Sequence, residues 1–253
     1  MSHHALDWDY TRLAPSYSYR PRYAPRTVDR IVAACGKERP LAADIGAGTG
    51  HLTLDLLERH CVVDAVEPNE AMRAIGVERT AGRGEVRWSV GVGEDTGLPG
   101  DRYDLVAYGS AFSTTDQPRA LVEAARMLHD RGWFACVWNH RRLDDPLQAE
   151  IEELIRAHVP GYSYGRRRED HGPLIERSGL FTLVTRVEDL AVHRLPVDDW
   201  LTAWRSHATL QRQAGPAFED VLRRIDELVR SRAGDEVEVP YRTVGWLAAR
   251  VRR

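Results

Sequence analysis

The stretch Ala43-Asp44-Ile45-Gly46-Ala47-Gly48-Thr49-Gly50 decides the fold. A short apolar run, Leu41 to Ile45, stops at alternating glycines, and an amphipathic run, Leu52 to Arg59, begins directly after them. This is a buried strand, a tight loop and a helix. The glycines let the backbone approach a ligand closely, and the following helix N-terminus offers unpaired N–H groups to a negative or polar group. The next apolar run, Val62 to Val66, closes on Glu67, a carboxylate placed to accept both hydroxyls of a ribose. A lone G-x-G carries little weight. Strand, glycine loop, helix, strand and terminal acid in succession point to a cofactor containing a nucleoside. The G-x-G-x-G spacing departs from the G-x-G-x-x-G of dinucleotide sites.

Outward from this unit, hydrophobic period keeps switching between strand and helix up to about residue 140, the mark of a parallel sheet covered by helices. Thr27 to Cys35 reads as a helix stopped by Gly36, and a short helix runs from about Glu70 to Val77. Val86 to Val90 and Tyr103 to Tyr108 read as the third and fourth strands. Pro118 opens a helix bearing Leu121, Ala124 and Leu128, with Asp116 or Gln117 as its cap, and Trp133 to Trp138 is a fifth strand. Beyond residue 140 the rhythm changes. Leu147, Ile151, Leu154, Ile155 and His158 share a helical face, and Phe181 to Val187 alternates as a strand. Trp200 to Thr209 and the Phe218 to Leu228 region read as helices before a last strand from Val237 towards Trp246. The expected fold is α/β: a doubly wound, Rossmann-like, mostly parallel seven-stranded sheet with an antiparallel last strand and a helical lid.

Composition narrows the function. Of 35 basic residues only Lys37 is lysine, and the net charge is -3. A chain-wide arginine bias on solvated faces reads as background, and Arg166-Arg167-Arg168, followed by Glu169 and Asp170, reads as a solvated, partly self-neutralised loop. Near-neutral charge argues against nucleic acid as partner. No apolar run approaches a membrane span, no leader is legible, and Cys35, Cys61 and Cys136 lack metal-ligand spacing. A cytoplasmic protein with reduced cysteines and no metal is expected.

Asp44-x-Gly46-x-Gly48-x-Gly50 resembles motif I of the class I S-adenosylmethionine (SAM) dependent methyltransferases. The resemblance continues through Glu67-Pro68-Asn69-Glu70-Ala71-Met72, Gly93-Glu94-Asp95-Thr96-Gly97-Leu98-Pro99, Tyr103-Asp104-Leu105-Val106, Ala111-Phe112 to Asp116, Trp138-Asn139 and Pro240-Tyr241-Arg242-Thr243, and it matches a branch of small bacterial methyltransferases. It implies SAM as cofactor and S-adenosylhomocysteine as product. It places Gly46, Ala47, Gly48 and Gly50 against the aminoacyl end, with Asp44 touching the cofactor or organising the loop. Glu67 falls at the ribose, Met72 on the adenine face, and Gly93 and Glu94 at its edge, with Pro68 and Tyr108 also among the cofactor-binding residues. Val92 stands where many relatives carry an aspartate, so Glu94 or a backbone group would substitute. The stretch containing Tyr10, Tyr17, Tyr19, Arg20 and Tyr23 resembles the family's cap, with Arg20 pairing the methionyl carboxylate and tyrosines facing the sulfonium.

Catalytic residues are harder to read, because methyl transfer from an activated sulfonium needs positioning more than a base. Where relatives often carry His-Trp-Phe-Asp this chain has Ser113-Thr114-Thr115-Asp116. The remaining candidates are His140 at the end of the fifth strand, His207 on the lid beside Trp204, and Asp116, which is equally a helix cap. The expected arrangement is one domain: a cap over 1–26, a SAM-binding core over 27–140, a lid and late strand over 141–236, and a last strand over 237–253. A lid containing Tyr162, Tyr164, Trp200, Trp204 and His207 suits a small acceptor, in secondary-metabolite biosynthesis, with an oxygen, nitrogen or carbon nucleophile. The competing readings are a SAM-binding cyclase that transfers no methyl and an NAD-dependent oxidoreductase. The sequence leaves monomer or homodimer open.

Overall fold

The computed structural model describes residues 10–252, so residues 1–9 of the expected cap lie outside it. The described chain runs α1 (Ala14–Tyr17), α2 (Pro25–Ala33), β1 (Leu41–Ile45), α3 (His51–Leu57), β2 (Val62–Val66), α4 (Glu70–Thr80), β3 (Val86–Ser89), β4 (Tyr103–Gly109), α5 (Gln117–Met127) and β5 (Leu128–Arg141). It continues through α6 (Pro146–His158), α7 (Gly172–Arg177), β6 (Phe181–Pro196), α8 (Val197–Trp204), α9 (Ala208–Ala214), α10 (Phe218–Arg232) and β7 (Glu236–Arg250).

The strands form one seven-stranded sheet in the order β3-β2-β1-β4-β5-β7-β6. All neighbours are parallel except that β7 runs antiparallel to both β5 and β6. The chain reverses its direction of winding between β1 and β4, and at such a switch point the carboxyl ends of the strands diverge into a crevice. The glycine loop leaves β1 there. β1 and β4 are buried on both faces, which is why they read as continuous apolar runs.

Local chemistry sets the helix starts. Asn69, Asp116 and Asp145 each accept a hydrogen bond from a first-turn N–H, those of Met72 (3.0 Å), Arg119 (3.3 Å) and Gln148 (3.0 Å), and cap α4, α5 and α6. Prolines at the first turns of α2, α5 and α6 sit where a missing N–H costs nothing. Leu128, expected on the α5 face, is instead the first residue of β5.

Two features depart from the expected pattern. β6 runs on to Pro196 rather than ending at Val187, because its second half pairs residue by residue with β7 from Val244 to Glu236. Its partner lies far downstream and its outer edge is unpaired, so polar residues such as Glu188 and Asp189 interrupt no apolar run that sequence could register. The single helix expected over Trp200 to Thr209 is two, α8 and α9. Between them Ser206 turns its hydroxyl onto the Ala203 carbonyl (2.6 Å) and is held by Arg20 from the far end of the chain.

The β6 and β7 extensions carry the lid. α6, α8, α9 and α10 bury Ile151, Ile155, Trp200, Trp204, Leu210, Val221 and Ile225 against Val237, Val239 and Tyr241 of β7. This core is separate from the two that cover the faces of the sheet, one around Phe112, Phe134 and Trp138 and one around Val28, Ile31 and Leu56. Much of the arginine excess is spent on solvated ion pairs. On α10, Arg223, Arg224 and Arg230 pair with Asp220, Glu227 and Asp226 three or four residues away. Among the described residues no helix is long and apolar enough to cross a membrane, and no cluster of side chains could hold a metal ion. The three cysteines are free thiols.

Candidate active site

One cavity opens at the switch point and is roofed by the lid. Its floor is the glycine loop. Gly46 has φ +67°, and a β-carbon there would stand 2.5 Å from the Ala111 Cβ, so only glycine fits. At Gly48, with φ +57°, a β-carbon would crowd the Met72 methyl at 3.2 Å. Within the loop itself the N–H groups are largely engaged by the protein. The Gly46 and Ala47 N–H groups donate to the Val66 carbonyl (2.9 and 3.0 Å), Gly48 N–H donates to Glu67 Oε2 (2.8 Å), and Gly50 N–H donates to the Ala47 carbonyl (2.9 Å). Three of these four N–H groups are taken up by the end of β2 and the residue after it and one within the loop, so the loop contributes mainly shape.

Two carboxylates flank that floor. Asp44 is fully buried. Its Oδ2 accepts from the Thr53 hydroxyl (2.6 Å), while Oδ1 has no partner. Burial, with the nearby Glu67 adding to it, raises the Asp44 carboxyl to about 7. Glu67 holds Gly48 N–H through one oxygen and Asn69 N–H (2.8 Å) through the other, and its pKa too is raised by burial. Pro68, Met72, Gly93, Glu94 and Tyr108 line the same wall. The Tyr108 hydroxyl donates to the Gly93 carbonyl (3.2 Å), and Glu94 accepts from the Asp116 N–H, which ties the 93–94 loop to the start of α5.

The cap closes the other side. Asn139 donates to the carbonyls of Pro21 (3.0 Å) and Arg22 (2.8 Å), and Thr243 accepts from Ala24 N–H (2.7 Å), so residues 21–24 are clipped to β5 and β7. Tyr10, Tyr17, Arg20 and Tyr23 line the cavity. Tyr17 meets Tyr10 and His51 edge-on, and the Tyr23 hydroxyl is hydrogen-bonded to Ser110 (3.1 Å).

The remaining expected positions fall as follows. Tyr19 is 43% exposed and lies outside the cavity lining, because the turn after α1 points it outward. Gly50 lies behind the loop, where a β-carbon would face Trp88 and Thr80 rather than the cavity. Asp116 is exposed and spends its carboxylate capping α5, outside this cavity and on the rim of an adjoining groove. His140 and His207 both line the cavity. Burial and then nearby arginines depress both, His140 to about 3 and His207 well below its usual range, so both imidazoles are neutral at pH 7. Arg20 lines the cavity while its guanidinium bonds Ser206 and stacks over Tyr17 at 4.1 Å.

The arginine run is solvated as expected at Arg166 and Arg168, which are exposed, while Arg167 is half-buried, yet two of the three also reach the cavity. Arg167 and Arg168 belong to a 3-10 turn, Gly165–Arg168, that turns them into the cavity wall. Arg168 stacks over Tyr164 at 3.8 Å, while Asp170 turns away to Gly172 N–H and the Trp246 indole. Sequence reasoning also passed over Arg141. It lies beneath the lid, ion-paired with buried Glu152 (2.8 Å), bonded to Tyr164 (2.9 Å) and set 4.7 Å over the Trp204 ring. The only local hint was that Arg141 directly follows the Trp138-Asn139-His140 segment.

Residues 43–136, from within β1 into β5, match the family model described as a methyltransferase domain. The chain has the class I methyltransferase fold, and residues 43–136 carry its match to a methyltransferase domain. Over 136 residues it is 36% identical to an uncharacterised methyltransferase of Mycobacterium tuberculosis, covering 54% of each chain, so it spans about half the length of the curated relatives it matches. Among solved structures, a protein of Anaeromyxobacter dehalogenans assigned as a type II methyltransferase aligns over 92% of this chain and 97% of its own, with a TM-score of 0.65 and 23% identity. The geranyl diphosphate C-methyltransferase of Streptomyces coelicolor, crystallised with S-adenosylhomocysteine, aligns over 89% of this chain and 76% of its own, with a TM-score of 0.50 and 18% identity. Both likenesses are of fold. In this sheet order the cavity lies at the carboxyl ends of β1, β2 and β4.

Proposed function

We propose that the chain binds SAM in this cavity and transfers its methyl group to a small-molecule acceptor held under the lid. The observation that carries the reading is Asp44 Oδ1, a buried carboxylate oxygen without a partner in the cavity wall. A buried acceptor is costly unless a donor meets it, and the α-ammonium of SAM is such a donor. Glu67, already oriented by two backbone N–H groups, keeps lone pairs for the ribose hydroxyls, and Met72 and Pro68 offer apolar surface to the adenine.

When bound, SAM supplies a methyl group already activated on a sulfonium. The protein then has to orient the acceptor, exclude water and accommodate the loss of a proton. Tyr10, Tyr17 and Tyr23 place aromatic faces and hydroxyls in the cavity, which favour a sulfonium. His140 and His207, neutral and depressed, are hydrogen-bonding walls rather than strong bases. Positioning thus supplies most of the acceleration, with the acceptor entering in its reactive ionisation state. The enclosed aromatic lid supports a small acceptor, as in secondary-metabolite biosynthesis, over a polymer.

Calorimetric titration of the full chain with SAM, S-adenosylhomocysteine and NAD tests the cofactor. Tight binding of the first two and none of NAD is expected, and tighter binding of NAD would overturn the reading. Release of S-adenosylhomocysteine with an acceptor panel tests turnover. Binding without release with any acceptor would favour a SAM-binding cyclase.

A further inference from the structure

The lid half of the cavity carries an unbalanced positive charge. Arg20, Arg141, Arg167 and Arg168 all line it. Glu152 balances Arg141, but the partners of Arg20 are the uncharged Ser206 and Tyr17. Arg168 makes one hydrogen bond, to the Arg141 carbonyl (3.4 Å), and stacks on Tyr164. Arg167 makes no hydrogen bond or ion pair among the described residues. The acids that line the cavity, Asp44, Glu67 and Glu94, belong to the end of β1, the residue after β2 and the 93–94 loop. Glu169 and Asp170 follow the arginines in sequence yet form no ion pair with them, since Asp170 serves Gly172 and Trp246.

Three further observations indicate what would balance this charge. The wall around the arginines is aromatic, formed by Tyr162, Tyr164, Trp200, Trp204 and Tyr241. The Trp204 indole is almost fully buried, with His207 stacked on it at 4.5 Å, yet its N–H has no acceptor. A buried donor without a partner is as costly as an unmatched acceptor, and a ligand oxygen would relieve it. Burial first, and then these arginines, depress His140 and His207, so both desolvation and the local field disfavour an added cation there.

We propose that the methyl acceptor is a small aromatic anion, its charge neutralised by Arg167 and Arg168 and its ring packed among the lid aromatics. Guanidinium groups suit this role, because they are always charged, pair carboxylates through two donors and stack on aromatic rings. The inference rests on the methyltransferase reading and deepens it. A cationic wall also lowers the pKa of a bound phenol or acid, so the acceptor would be an oxyanion without a dedicated base.

The experiment is calorimetry on the full chain saturated with S-adenosylhomocysteine, using benzoate and 2-naphthoate against benzamide and 2-naphthamide as neutral matches of similar shape. At least one carboxylate is expected to bind about tenfold or more tightly than its amide, as charge-assisted pairing requires. In the Arg167→Gln/Arg168→Gln double variant that preference should vanish while S-adenosylhomocysteine affinity stays within about twofold of wild type. Arg166→Gln removes the same charge from the same turn but lies outside the inner cavity, and should keep the preference. If wild type shows no preference for either carboxylate, or if the preference survives in the double variant or is lost equally in Arg166→Gln, the inference is overturned. If wild type fails to bind S-adenosylhomocysteine, the methyltransferase reading itself fails, and the two failures are distinguishable.

Discussion

Arg20 and Ser206 lock the two ends of the cavity roof together. Arg20 Nε donates to the Ser206 hydroxyl (2.7 Å) and Nη2 to the Ser206 carbonyl (2.6 Å), across 186 positions of chain. The cap is thereby tied to the break between α8 and α9, and α1 packs against both α4 and α8. Arg20→Ala should therefore loosen cap and lid together. Amide exchange over 10–24 and 203–210 is expected to rise while exchange in β1 and β4 stays unchanged, and cofactor affinity should fall by about 1–3 kcal/mol. Exchange confined to residues 10–24 would show that the latch does not reach the lid.

Glu67→Ala removes the acceptor of two loop N–H groups and of the proposed ribose hydroxyls. Calorimetry should show SAM binding weakened by about 1–3 kcal/mol. Because the Gly48 and Asn69 N–H groups also lose their partner, the melting temperature should fall too. Glu67→Gln keeps an acceptor and should recover most of the stability but less of the affinity.

With its carboxyl raised to about 7 by burial, Asp44 would give the proposed SAM binding a pH signature. Only the carboxylate pairs with an ammonium, so affinity should be full above pH 7 and fall as pH drops through it, by at most about tenfold per unit. Asp44→Asn should bind more weakly at pH 8 and lose that pH dependence. A wild-type affinity that stays flat between pH 5.5 and 8 would remove Asp44 from the ammonium site.

His140→Asn and His207→Asn test the absence of a strong base. A positioned general base typically contributes 10²–10⁴-fold, whereas loss of a neutral wall residue should lower kcat by less than about tenfold. A hundredfold loss in either variant, with SAM affinity intact, would make that histidine the base.

Gly46→Ala would place a methyl group 2.5 Å from the Ala111 Cβ in a left-handed backbone. Overpacking of this kind costs about 1–3 kcal/mol, so reduced thermal stability and weakened SAM binding are expected together in a melting curve with and without cofactor.

The cavity floor, proposed here as the cofactor half, was legible because its signals are local. Asp44, the glycines and Glu67 lie within two short β–loop units, where strand ends, positive-φ glycines and a terminal acid follow one another in the chain. Tyr19 and Gly50 were drawn in by proximity in sequence, but the turn after α1 and the back of the loop face them elsewhere.

The lid half was not legible, since its groups meet only through long-range packing. Arg141 from β5, Tyr164 just before the 3-10 turn and Arg168 within it, and Trp204 and His207 from the α8–α9 region converge because β6 and β7 pair well beyond the rest of the sheet and carry α8 to α10 back over the carboxyl ends. Hydrophobic period and turn chemistry act over a few residues, and they specified the α/β order, the glycine loop and the acid that follows it. Which arginines of a uniformly arginine-rich chain become solvated ion pairs and which face a buried, aromatic wall depends on desolvation and on the partners each finds, and those are properties of the folded chain alone.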